Sequence, residues 1–387
     1  MYEPNETYTV TAAANRFVVV FDTNDVDALA ADAPGLLSAE GFGTDTYFPR
    51  LGIAVVDGES GKLGAFQAKS LSAHRRLHVF PELIYHALAP ETGGAAPASF
   101  ADTEQLTWGV QAVRAVESGY TGAGIRVAVL DTGFDLDHPD FASRTVTAES
   151  FIEGEDARDG HGHGTHCIGS ACGPRELEGG RGYGVAPGAE IYSGKVLGNS
   201  GSGSDTSILS GIEWALENEC AIISMSLGAD VREVHPPYVA AGRAALNQGS
   251  LIIAAAGNNA RRSSGNDGFV GAPANSPFVM AVGALDSSLG IAEFSARTLP
   301  GRGGQVDVAG PGVDVYSSWP GEQRYNTISG TSMATPHVAG VAALLAEATG
   351  FRGRELWAEI VQEAERLELA SVDVGSGLSV GPPAAEV

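Results

Sequence analysis

Between residues 125 and 256, short apolar runs alternate with helix-forming stretches. The runs span 125–130, 191–196, 222–226 and 251–256; the stretches cover about 165–171, 207–217 and 238–247. A strand that is apolar along its length is buried on both faces. Helices that return the chain between such strands build a parallel sheet covered on both sides. The expectation for this region is α/β: a three-layer arrangement with a mainly parallel sheet and helices on both faces.

A different pattern precedes it. Residues 1–14 are polar and read as a flexible start. The runs 17–21 (FVVVF) and 51–56 (LGIAVV) are strand-like, and 78–85 reads as a closing strand. Residues 25–40 and 64–77 are helix-like, with Pro34-Gly35 as a break in the first. This predicts a small β-α-β-β-α-β domain of the α+β, ferredoxin-like kind over 15–88. The stretch PETGGAAPAS at 90–99 marks a linker, assigned to 89–105, which leaves 106–387 for the larger domain. A chain of 387 residues is long enough for both.

Charge narrows the partners. The 23 basic and 47 acidic residues leave a net charge of −24, and lysine occurs only at Lys62, Lys69 and Lys195. Nucleic acid and anionic membranes repel such a chain. The start, MYEPNETYTV, lacks the basic and apolar regions of a signal peptide. No apolar run reaches the roughly 18 residues of a membrane span. The expectation is a cytoplasmic protein, or a secreted one if the start has been trimmed. Cys167, Cys172 and Cys220 are odd in number and lack metal-type spacing, so no disulfide scaffold is expected.

Three segments carry chemistry. In VAVLDTG an apolar strand ends at Asp131, and the carboxyl ends of strands are where α/β sheets build sites. In DGHGHGTH, glycines around His161, His163 and His166 allow close backbone approach, and Thr165 is placed to cap a following helix. These histidines have no carboxylate or cysteine companion at a metal spacing. In SGTSMATPHVAG, Ser332 opens a helix whose N-terminal N–H groups suit a nucleophile that must become an oxyanion. Each segment alone reads equally well as a turn, a loop or a cap. Together they hold a serine nucleophile, a histidine base and an orienting carboxylate.

With the further segments GVAPGAEIYSGKVL, GIEWAL, ISMSLG and AAAGN, this set resembles the subtilisin family of serine proteases, in family order, from Trp108 to about Gly377. The resemblance implies a subtilisin-like endopeptidase that hydrolyses extended polypeptides through an acyl-enzyme. It assigns Asp131, His163 and Ser332 to catalysis, choosing His163 because it opens HGTH, and Asn258 to the oxyanion hole. Ser226, Leu227 and Gly228 become one wall of the pocket for the residue before the scissile bond. Ala255, Ala256 and Gly257 become the other. Gly271 lies at its base, leaving room for large apolar side chains. Gly201, Ser202 and Gly203 become the edge that pairs with substrate, and Asp205 the rim of the fourth subsite, favouring a basic side chain there. The small domain resembles the family's inhibitory propeptide, which implies an intramolecular inhibitor with self-cleavage after Leu88. No cofactor is implied for catalysis. Asp140 matches a calcium ligand of many members, which implies a structural calcium, although 173–180 replaces the loop that carries the family's other ligands. Cys167 matches a cysteine of some members. A dedicated leader-peptide protease and an inactive binding homologue are the alternatives; an esterase lacks its GxSxG elbow here.

Overall fold

The computed structural model describes residues 12–21, 26–43, 46–72, 77–88, 99–299 and 303–384. Residues 1–11 of the expected flexible start and 89–98 of the expected linker lie outside them. The N-terminal unit consists of β1 (Ala12–Phe21), α1 (Val26–Ala39), β2 (Thr46–Phe48), β3 (Ile53–Asp57), α2 (Ser60–Ser72) and β4 (Leu77–Ala87). Its strands lie in the order β4-β1-β3-β2, every neighbour antiparallel. Alternation along β1 and β3 sorts side chains between two faces. Val19, Phe21 and Val56 pack under Ala33, Leu37 and Leu63 of the helices. Val18, Val20, Ile53 and Val55 face the opposite way, into a core shared with the larger unit. The expected break at Pro34 does not occur: α1 runs through it. Burial of Ala33 and Leu37 on either side outweighs the lost backbone donor.

The larger unit holds α3 (Trp108–Ala112), β5 (Arg126–Asp131), β6 (Val146–Ser150), α4 (His163–Cys172), the hairpin β7 (Glu176–Leu177) and β8 (Gly180–Arg181), then β9 (Glu190–Lys195), β10 (Ser202–Ser204) and α5 (Asp205–Glu217). It continues with β11 (Ile222–Met225), β12 (Leu227–Gly228), α6 (Pro236–Asn247), β13 (Leu251–Ala255), β14 (Met280–Leu285) and β15 (Val308–Pro311). The hairpin β16 (Val315–Ser318) and β17 (Tyr325–Ile328) leads to α7 (Thr331–Thr349), α8 (Gly353–Glu363) and α9 (Ser371–Val374). Seven strands form one parallel sheet, β15-β14-β13-β11-β5-β9-β6. Val127 and Val129 of β5 feed the core under α4 and α7, whereas Ala128 and Leu130 feed the core under α5 and α6. This is the expected three-layer α/β arrangement. The chain leaves β5 first for β6 and β9 on one side, then for β11 on the other, so the order reverses at β5 and opens a crevice at its carboxyl end.

Strands β10 and β12 stay outside that sheet and flank the end of β4. Ser202, Gly203 and Ser204 pair with His86, Tyr85 and Ile84; Leu227 and Gly228 pair with Ala87 and His86. The described end of the expected linker is fastened to the larger unit: Ser99 and Phe100 N–H both donate to Ser287 O at 2.9 Å, and Arg181 Nη1 donates to Asp102 Oδ2 at 2.5 Å.

Candidate active site

Asp131 is the last residue of β5 and is buried; the turn after it carries the Thr132 N–H onto Asp131 Oδ1 at 2.7 Å. His163 is the first residue of α4. Its Nδ1 lies 2.8 Å from Asp131 Oδ1 and 3.0 Å from Oδ2, which makes Nδ1–H the donor and leaves Nε2 as the basic nitrogen. Burial is the largest single influence on the ring and opposes its cation. The charge of Asp131, then Cys167 and their hydrogen bonds, together outweigh it, and the His163 pKa ends well above its ordinary value. Gly162 precedes the helix at φ +108°, and a Cβ there would stand 2.3 Å from the Trp319 ring. Only glycine lets the chain turn there.

Asp159, not Thr165, organises this turn. Its Oδ1 accepts from Gly162 N, His161 N and Thr132 Oγ1; its Oδ2 accepts from Thr165 N and Thr165 Oγ1, all at 2.7–3.0 Å. Thr165 sits inside the helix as a donor, and its hydroxyl oxygen accepts from Asp135 N at 3.0 Å. Neither neighbouring histidine bonds Asp131, although the His161 ring stands edge-on to the His163 ring with centroids 6.2 Å apart. His166 gives Nε2 to Val315 O at 3.0 Å, and burial lowers its pKa to about 3. His161 lies beside Gly201.

Ser332 is the second residue of α7. Pro336, four residues on, lacks the N–H that would bond the Ser332 carbonyl in a regular helix. That carbonyl instead accepts from Ser226 Oγ at 2.7 Å and from Cys167 Sγ at 3.6 Å. The Ser332 hydroxyl donates to Ser226 O at 3.1 Å, while His163 Nε2 is buried and has no hydrogen-bond partner. Cys167 Sγ also lies 3.8 Å from His163 Nδ1, so one thiol touches both segments; burial raises its pKa, which keeps it a thiol. Asn258 follows β13. Its Oδ1 accepts from Thr331 N at 3.0 Å and Thr331 Oγ1 at 2.8 Å, which makes Nδ2 the donor end of the amide at the start of α7. Gly257 N–H reaches the same Thr331 hydroxyl at 3.2 Å.

The end of β4 occupies the crevice. Ala87 N–H donates to Gly201 O at 2.9 Å, and the Leu88 carbonyl lies 3.5 Å from Ser332 Oγ. The Leu88 side chain lies 3.5 Å from where a Cβ on Gly228 would stand. Of the expected pocket residues, Ser226 bonds the Ser332 backbone, Leu227 and Gly228 pair with the tail, and Ala255 ends β13. Ala256 O accepts from Gly271 N at 3.0 Å. Gly271 has a reason besides leaving room: a Cβ there would come within 2.4 Å of the Ala229 carbonyl. Asp205 is fully buried under the tail and not at a solvated rim.

Two features escaped the sequence reading. Lys195 is wholly buried, with Nζ donating to Thr132 O at 2.6 Å and Asn199 Oδ1 at 2.8 Å, so it props the turn beside Asp131. Glu82 of β4 accepts from Thr206 N at 2.9 Å, at the start of α5. Both rest on contacts between segments distant in sequence. The calcium expectation does not fit the residues present. Asp140 Oδ2 accepts from Tyr183 Oη at 2.6 Å, and both its oxygens accept from Tyr325 Oη at 3.1–3.2 Å. A calcium ion would need those oxygens and several more. Among the described residues, the one set of three or more His, Cys, Asp or Glu groups that converges is Asp131, His163 and Cys167.

Sequence comparison agrees with this geometry. The profile of the subtilase family matches residues 122–377. Subtilisin DY of Bacillus licheniformis is 41% identical over 245 residues, covering 61% of this chain and 81% of that protein. Subtilisin Savinase of Lederbergia lenta is 42% identical over 246 residues, covering 62% and 84%. Subtilisin E of Bacillus subtilis (strain 168) is 38% identical over 281 residues, covering 72% and 69%. With a parallel sheet whose switch point joins Asp131 to His163, and a serine heading α7 behind a shared thiol, the chain belongs to the subtilase family and is a serine endopeptidase.

Proposed function

We propose that the protein is a self-processing zymogen in which Asp131, His163 and Ser332 form the catalytic triad and the N-terminal unit is its own inhibitor. The observation that carries this is the Leu88 carbonyl beside Ser332 Oγ, at the end of a tail held between β10 and β12. Rotation of the Ser332 hydroxyl from Ser226 O to His163 Nε2 gives the base its proton donor. Oγ attacks the Leu88 carbonyl carbon as His163 takes the proton, and Asp131 stabilises the resulting imidazolium. The negative oxygen is received by Asn258 Nδ2 and the Ser332 N–H. His163 then protonates the Ala89 nitrogen, the peptide bond breaks, and Leu88 is left as an ester on Ser332 that water hydrolyses by the reverse relay. The same steps serve other polypeptides, with large apolar residues such as leucine favoured before the cut.

Mass spectrometry of the wild type beside Ser332→Ala, in one buffer, tests this. Wild type is expected to split at the Leu88–Ala89 bond while the variant stays whole. If both stay whole and neither hydrolyses a chromogenic peptide, the reading fails.

A further inference from the structure

Tyr85, three residues before Leu88, is fully buried between the two units. Its ring meets Tyr238 edge-on with centroids 5.5 Å apart, and Tyr238 lies 6.0 Å from the His235 ring. Asp205, the first residue of α5, is also fully buried here. Its Oδ2 accepts from Leu83 N at 2.8 Å and from His235 Nε2 at 3.0 Å. That leaves Asp205 Oδ1, Tyr85 Oη and Tyr238 Oη, all buried and none with a hydrogen-bond partner of ordinary geometry. The three nevertheless feel one another. Burial first, then the Asp205 charge, raises the Tyr85 pKa; burial, then Tyr85 and Asp205, raises that of Tyr238.

Unpaired buried oxygens are costly, and these can satisfy each other. A phenol donates to Oδ1, and a second phenol donates to the first or to the same carboxylate. A basic side chain would meet the same oxygen, but it would bring a cation among aromatic rings, next to a carboxylate that His235 already engages. A phenylalanine would fill the space but bring no donor, leaving Oδ1 to Tyr238 alone. A tyrosine supplies both ring and donor without burying a charge.

We propose that Asp205 and Tyr238 make the fourth subsite selective for tyrosine, with the substrate hydroxyl donating to Asp205 Oδ1. This rests on the proteolytic reading above and narrows its substrates to extended segments with tyrosine three residues before a large apolar residue at the cut. It replaces the expectation of a basic side chain at Asp205.

The test measures kcat/KM of the self-processed enzyme on acetyl-X-His-Ala-Leu-p-nitroanilide, with X as Tyr, Phe, Arg or Ala, and on casein. Tyrosine is expected to exceed phenylalanine by about tenfold or more, and arginine as well, because a site built around a hydroxyl rejects its absence. Asp205→Leu should shrink the Tyr-to-Phe ratio, and Tyr238→Phe should lower kcat/KM on the tyrosine peptide. The substrate series stands even if one variant fails to fold. Phenylalanine equal to tyrosine, or arginine above both, would overturn the subsite assignment while leaving the protease intact. If casein and all four peptides stay uncut, the proteolytic reading fails and this assignment falls with it.

Discussion

At the scale of single residues, Asn258 shows how a donor is aimed. Thr331 occupies its Oδ1 through both backbone and hydroxyl, so the amide cannot flip without losing two hydrogen bonds. On the proposed mechanism, in which this donor serves the transition state, Asn258→Ala should lower kcat by about 10²–10³-fold, near 2.7–4 kcal/mol, with KM little changed. Steady-state kinetics on a chromogenic peptide would check this; a rise in KM at constant kcat would place Asn258 in ground-state binding instead. Asp131, His163, Ser332 and Asn258 were legible because each lies in a short segment whose order and glycines are distinctive. Ser226 as a partner of the Ser332 backbone was not, although Pro336 at the fourth position after Ser332 is the local sign that this carbonyl must look elsewhere. Lys195 was hidden more deeply. Its partner beside Asp131 is the Thr132 backbone carbonyl, which has no side-chain signature, and the ion pair of Lys195 with Glu155 joins segments 40 residues apart.

Among the elements, four strands of the parallel sheet, β5, β9, β11 and β13, were legible from their continuous apolar runs, to within a residue or two; β6, an edge strand without such a run, and β14 and β15 were not read. The extent of α1 was not, since the weight of Ala33 and Leu37 in a core appears only once the core exists. The contact between α5 and the turn after β2 was equally invisible. There Glu213 Oε1 accepts from Arg50 N at 3.1 Å, and its Oε2 is buried without a partner. Burial, opposed by the Arg50 N–H and helped by Glu217, raises the Glu213 pKa from 4.5 to about 7. When the N-terminal unit leaves, the carboxyl regains water and its ordinary acidity. Attachment of the unit therefore favours the protonated acid. That contribution is complete below about pH 4.5 and is lost as pH rises through about 7. After self-cleavage, the N-terminal fragment should co-elute with the enzyme at about pH 5 in gel filtration and separate more readily at about pH 8. In Glu213→Gln the difference should narrow; an unchanged difference would assign the pH dependence elsewhere.

For the whole molecule, 47 acidic against 23 basic residues set a repulsive background. Many arginines answer it locally, as where Arg262 and Arg297 converge on Asp373 and where Arg126 meets Glu190 and Glu219. Exposed pairs such as those of Arg126 contribute little each, so the net repulsion should dominate. The thermal midpoint of Ser332→Ala, followed by circular dichroism to avoid self-digestion, should rise between about 0.05 and 1 M NaCl as screening sets in. A fall would mean that the ion pairs outweigh the excess charge. Among the described residues, no helix is long and apolar enough to cross a membrane.

The tail of β4 lies between β10 and β12, in a slot one strand wide. A helix is too broad for such a slot, and a strand already paired on both edges has no backbone groups left to offer it. Only a segment that has come loose from its own fold over several residues can enter. The rate at which this enzyme cuts a folded protein is then governed less by the target's sequence than by how often the target frays there. The cleft that holds the tail of β4 would then work, on other chains, as a gauge of local melting.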